Sequence, residues 1–277
     1  MRGARLLISL LALFYASALH ADAPLRVVAS IRPLQLLVLA VGGDAVEASA
    51  LLEPQFSPHD YQLRPSDRRK LDAAELIVWI GPRLEVFLPT ALSALSGHPR
   101  IVSLQSDDGD PHLWTDPVLM GSFGVRIAEI LAELRPAKAA YFRSNADRLG
   151  EQLQREQEAL QLQLSAKPLR GYMVEHDSYS RLEARFGLRH LAALTNSADL
   201  PASAASIAQI ARLLDSGSIG CVWQEPHSSR LMQSVLRGRN TRVTTLDALA
   251  AEAPLTAEGL LQFYRRLGAD IAGCVLP

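Results

Sequence analysis

The sequence predicts an α/β protein of two lobes, each built on a parallel β-sheet and joined to the other by one long helix. A ligand would then sit between the lobes, at the carboxyl ends of the strands. Three observations lead there. Short apolar runs alternate with helical patterns through the first half, and the alternation returns in the second. Between the halves runs a single amphipathic stretch of about thirty residues, roughly 45 Å as a helix, which is too long for a simple crossover.

In order, RVVAS (26–30) reads as a buried strand and Pro33 to Val41 as a helix ended by Gly42-Gly43. VEASALLE (46–53) is a second strand-like run, leading into the loop that carries His59. Ser66 is placed to cap a helix through Ala74, with Asp67 in its first turn, where the helix dipole favours a carboxylate. LIVWIG (76–81) is a continuous apolar run, as a strand covered on both faces requires. A helix from Val86 to Ser96 and a strand IVSL (101–104) follow, then an acidic loop, SDDGDPHLWTDP (106–117), and a helix from Val118 to Leu134. Pro136 opens the long helix, which runs to about Ala166 with Leu149, Leu153, Leu160 and Leu164 on one face. Beyond it, GYMVEH (171–176), LRHLAAL (188–194), IGCVWQ (219–224) and RVTTLD (242–247) are strand candidates. Helices fit Ser178–Phe186, Ser203–Asp215, Ser228–Leu236 and Thr256–Ala272.

Composition narrows the function. With a net charge of −1 over 277 residues, nothing points to a nucleic-acid partner. Apolar residues at 48% and charged residues at 21% indicate a folded chain with a sizeable core. At the N-terminus, Arg2 and Arg5 precede an apolar run, Leu6 to Ala18, and a small-residue exit, as in a secretory signal peptide. Cleavage fits after Ala18 or Ala21; the latter gives a signal over 1–21. The run is shorter than the roughly 20 residues of a spanning helix, and no cysteine follows it to carry a lipid. Lobes over 22–135 and 168–277, with the helix over 136–167 between them, complete the division. Export permits a disulfide between Cys221 and Cys274, which would stabilise the fold by roughly 4 kcal/mol in the chain-entropy model; two buried thiols are the alternative.

Seven histidines are present. His20 leaves with the signal or ends the mature chain, His98 lies in a solvated turn, and His190 falls inside a strand candidate as a packed or surface residue. His59, His112 and His227 instead follow strands and His176 ends one, so a parallel sheet brings all four to one edge. Carboxylates occur in matching places: Asp60 and Asp110 beside histidines, Glu225, and Asp247 at the end of the last strand. Imidazoles with a carboxylate suit tetrahedral zinc. Asp60 and Asp110 are read either as partners orienting the imidazoles or, more plainly, as caps or surface groups. No HExxH helix or similar signature supports a secreted zinc hydrolase.

The motifs SPHDYQLRPSD (57–67), AELIVWIGPRLEVFL (74–88), DPHLWTDP (110–117), EHDSYSRLEARFGL (175–188), CVWQEP (221–226) and TLDAL (245–249) occur in that order. With them the chain resembles the zinc-uptake solute-binding proteins of metal ABC transporters, the ZnuA-like branch of cluster A-I. The resemblance covers nearly the whole mature chain. It implies two Rossmann-like lobes with the metal in the interlobe cleft, a periplasmic monomer, and delivery of Zn2+ to an inner-membrane ABC permease, with no catalysis. It also implies His59, His112 and His176 as ligands, Asp247 as the carboxylate that closes the site, and a Cys221–Cys274 disulfide. Manganese-type relatives carry glutamate at the position of His176, so imidazole there favours zinc over manganese or iron. A metal chaperone of the same fold is a further alternative. Glu175 should point to the other face of its strand end. Two departures stand out: the His-rich loop of many members is reduced here to SDDGD, and His227 is unexpected, either a fourth ligand in place of Asp247 or a residue on the metal's way in.

Overall fold

The computed structural model describes residues 23–105, 109–196, 200 and 202–277. The signal-peptide expectation, His20 and the start of the acidic loop lie outside them. Two four-stranded sheets form, both wholly parallel. The first holds β1 (Leu25–Ala29), β2 (Val46–Ala50), β3 (Leu76–Trp79) and β4 (Arg100–Ser103) in the order β2-β1-β3-β4. The second holds β5 (Tyr172–His176), β6 (Ala192–Thr195), β7 (Cys221–Gln224) and β8 (Arg242–Thr245) in the order β6-β5-β7-β8. In each sheet the chain moves outward from the first strand and then returns past it. That reversal opens a crevice at the carboxyl ends of β1 and β3, and of β5 and β7.

Nine helices occur among the described residues: α1 (Arg32–Gly42), α2 (Pro65–Ala73), α3 (Leu88–Ser93), α4 (Pro117–Leu134), α5 (Ala139–Ser165), α6 (Ser180–Phe186), α7 (Ala204–Asp215), α8 (Arg230–Leu236) and α9 (Gly259–Val275). They pack on both faces of the sheets, which is why the inner strands β3 and β7 read as apolar runs, while the edge strands β2 and β8 are more polar and more exposed. Alternate residues of one strand face different layers. Val27 and Val78, with Val174 and Trp223 of the second sheet, join the central core that contains α1, α4, α5 and α9. Val28 and Ile77 face an outer cluster with Leu71 and Leu92, and Met173 and Val222 face another with Ile210 and Met232. One apolar core is therefore shared by the two lobes.

The long helix is α5, 27 residues and about 40 Å. Leu149, Leu153, Leu160 and Leu164 are all buried, as their spacing predicted, each contributing about 1.5–3 kcal/mol of hydrophobic stabilisation. The helix packs along α4 and also touches α1 and α9. Pro136 opens a short 3-10 turn rather than the helix itself, which begins at Ala139. Cys221 and Cys274 are bonded, joining β7 to α9 across a Cα–Cα distance of 5.7 Å.

Other expectations shift locally. Ser66 does not cap α2: Arg64 is the N-cap, Pro65 begins the helix, and Asp67 reaches back to the Arg64 N–H at 2.8 Å. His190 lies before β6, not inside it, because its ring and backbone N–H are drawn to buried Glu183 at 2.9 and 3.1 Å. The final helix begins three residues later than its pattern suggested, at Gly259, where a Cβ would meet the Pro254 carbonyl at 2.0 Å. No helix among the described residues is long and apolar enough to cross a membrane.

Candidate metal centre

His59 lies in the long loop between β2 and α2. Leu51 and Leu52 donate to the Ala29 and Ser30 carbonyls at 2.7 and 3.0 Å, so the loop leaves the edge of the first sheet in a defined direction. Its far end is pinned by Asp67, which is buried and accepts both the Tyr61 hydroxyl and the Arg64 N–H at 2.8 Å. Arg64 stacks over Phe56 at 4.7 Å, and Phe56 packs on Tyr61. The residues of SPHDYQLRPSD thus hold the loop to α2 and leave His59 half-buried at the cleft.

His112 follows β4 and is 1% exposed. Although it comes from the first half of the chain, its loop is fastened to the second. Trp114 Nε1 donates to the Ala248 carbonyl at 2.8 Å, Tyr264 donates to the Trp114 carbonyl at 2.5 Å, and Arg181 Nε donates to the Asp110 carbonyl at 3.1 Å. Asp116, the N-cap of α4, also accepts Arg185 of α6 at 2.8 Å. Sequence reasoning missed this fastening. In the sequence Asp116 and Pro117 read as the end of the acidic loop; nothing local to them names Arg185 or Tyr264.

His176 ends β5 and is buried. The three imidazoles meet: their ring centroids are 5.1–5.5 Å apart, and one ring nitrogen from each lies within 4.8 Å of the others. His59 Nε2 and His112 Nε2 are 3.1 Å apart. Nitrogens sharing a tetrahedral zinc at about 2.0–2.1 Å stand about 3.3 Å from one another. The pair is therefore already at metal-sharing distance.

Carboxylates set the ring tautomers. His112 Nδ1 donates to Asp110 Oδ1 at 2.6 Å, and His176 Nδ1 faces Glu225 Oε1 at 3.3 Å. Each bond leaves the Nε2 lone pair turned to the cavity. Asp110 is thus neither a cap nor a surface group, as the plainer reading had it, whereas Asp60 is exposed. Burial alone would raise the Asp110 pKa. Hydrogen bonds from His112 and the charge of Arg181 outweigh it and hold the carboxyl below the usual range. Glu175 points away from the cavity, where it accepts the N–H groups of Glu225 and Ser229 at 3.0 and 2.6 Å.

Asp247 and His227 line the same cavity, an open cleft of about 210 Å3, but neither belongs to the group of converging ligand atoms. Asp247 accepts the Glu252 N–H at 3.2 Å. Burial raises its pKa above the usual carboxylate range, only partly offset by backbone N–H groups. His227 is exposed.

The family described as "Zinc-uptake complex component A periplasmic" matches residues 27–274. The chain is 29% identical to the high-affinity zinc uptake system protein ZnuA of Yersinia pestis, over 90% of this chain and 91% of that protein. It is 27% identical to the protein of the same description from Brucella abortus, with the same coverage. In structure it is similar to a crystal structure of ZnuA, with a TM-score of 0.77 and 24% identity over 89% of this chain and 98% of that one. The AdcAII protein of Streptococcus pneumoniae has a TM-score of 0.81 at 18% identity, over 91% and 99% of the two chains.

Proposed function

The chain belongs to the zinc-uptake complex component A family, and from that premise we propose that it is a periplasmic binding protein that captures Zn2+ and delivers it to an ABC permease of the inner membrane. On this reading residues 1–21 are the signal peptide, 22–135 and 168–277 are the lobes, 136–167 is the connecting helix, and the protein works as a monomer without catalysis. The observation that carries it is the convergence of His59, from the edge of the first sheet, with His112 and His176.

Asp247 is the fourth ligand on this reading, reaching the ion by a change in its hold on the Glu252 N–H. Three imidazoles and a carboxylate make a borderline-soft tetrahedral set, which selects zinc over manganese. With all four places filled there is no open position for a nucleophilic water, which disfavours hydrolase chemistry. Binding requires neutral imidazoles, so zinc affinity falls as the pH is lowered.

Equilibrium dialysis of residues 22–277 with metal analysis tests the proposal. One tightly held zinc per chain, lost on His59→Ala, is the expected result. No zinc in the parent protein, or unchanged retention in the variant, overturns it.

A further inference from the structure

Outside the three converging imidazoles, the cavity is lined by three more groups with metal-ligating chemistry: Glu225, His227 and Asp247. Exposure rises outward along the first two. His176 is 7% exposed, the Glu225 side chain is 40% exposed, and His227 is exposed at the rim. Glu225 lies between the two histidines in the chain and the cavity lining: its carboxylate meets His176 Nδ1, and Pro226 alone separates it in sequence from His227.

The rim is held in place from beneath. Glu175, 4% exposed, accepts the Glu225 N–H, the Ser229 N–H and the Ser228 hydroxyl, the last at 3.3 Å. Ser229 in turn caps α8 by accepting the Met232 N–H at 3.1 Å. Glu225 and His227 are therefore presented by a braced turn.

We infer that Glu225 and His227 form an outer capture station, where an incoming hydrated Zn2+ exchanges its first waters for an imidazole and a carboxylate before passing to His176. The inference rests on the proposed zinc-binding function. Tetrahedral zinc takes four ligands, and His59, His112, His176 and Asp247 supply them. His227 then has no place in the final shell, and its contribution is to the rate of capture. Among the described residues, no other imidazole outside the triad lines the cavity.

Stopped-flow mixing of the zinc-free protein with zinc chloride tests this. Tryptophan fluorescence provides the signal, because the Trp114 ring lies 5.3 Å from that of His112. In His227→Ala and in His227→Gln, the association rate constant falls about tenfold, at the low end of what a charged, ligand-lined cleft contributes to capture. The dissociation rate constant falls by the same factor, because release retraces the same route, and Kd stays as it was. Unchanged rates in both variants overturn the inference. So does a weaker Kd at an unchanged association rate, which places His227 in the final shell. Absence of any saturable zinc signal in the parent protein removes the underlying function as well, and is distinguishable from either result.

Discussion

At His112 the ring nitrogen facing away from the cavity donates to Asp110 Oδ1 at 2.6 Å, so the nitrogen facing His59 is the one that carries a lone pair. A carboxylate in this position fixes the tautomer and raises the basicity of the ligand, and its loss typically costs 10–100-fold in metal affinity. Asp110→Ala is therefore expected to weaken zinc binding by about one to two orders of magnitude without abolishing it, measured by competition with a chelator of known affinity. A change of less than about twofold would assign Asp110 to loop structure alone. The three histidines were legible in the sequence because each follows or ends a strand. The role of Asp110 was not: a carboxylate two residues before a histidine has the same spelling whether it caps a turn or grips the ring. The fold decides it, bringing Asp110 Oδ1 to 2.6 Å from the His112 ring.

Among the elements, α4 and α6 join the two halves through one carboxylate. Asp116 accepts the Val118 N–H at 2.9 Å as the cap of α4 and also receives Arg185 from α6. Loss of an aspartate cap costs about 0.5–2 kcal/mol. Asp116→Ala should reach about 2 kcal/mol, the upper end of that range, because its side chain is 5% exposed and holds an arginine besides. Urea unfolding reads this as a lower midpoint. Arg185, 35% exposed, is worth less, and Arg185→Ala should cost under about 1 kcal/mol. Equal effects from the two variants would contradict the capping account. At this scale the strands were the most legible elements, since LIVW and CVWQ are apolar runs that only a two-sided sheet would bury. Boundaries set by particular hydrogen bonds and close backbone approaches were not: Glu183 draws His190 out of β6, and the Pro254 carbonyl sits against the first residue of α9.

For the whole molecule, the alternation of elements and the leucine stripe of α5 made the two-sheet architecture readable in advance. Less readable was how firmly the halves are tied. A single core passes between them, and Trp114, Tyr264, Arg185 and Arg32 make hydrogen bonds or ion pairs across the junction. Two of the three imidazoles, His112 and His176, are thereby held against the second sheet, while His59 approaches from the first. The central claim is that these three nitrogens share one zinc ion. An anomalous difference map at the zinc edge, from crystals of the zinc-loaded protein, tests it most directly. The predicted result is one strong peak in the cleft, about 2.0–2.1 Å from a ring nitrogen of each of His59, His112 and His176. A cleft with no peak, or a peak that leaves any one of the three uncoordinated, would contradict it.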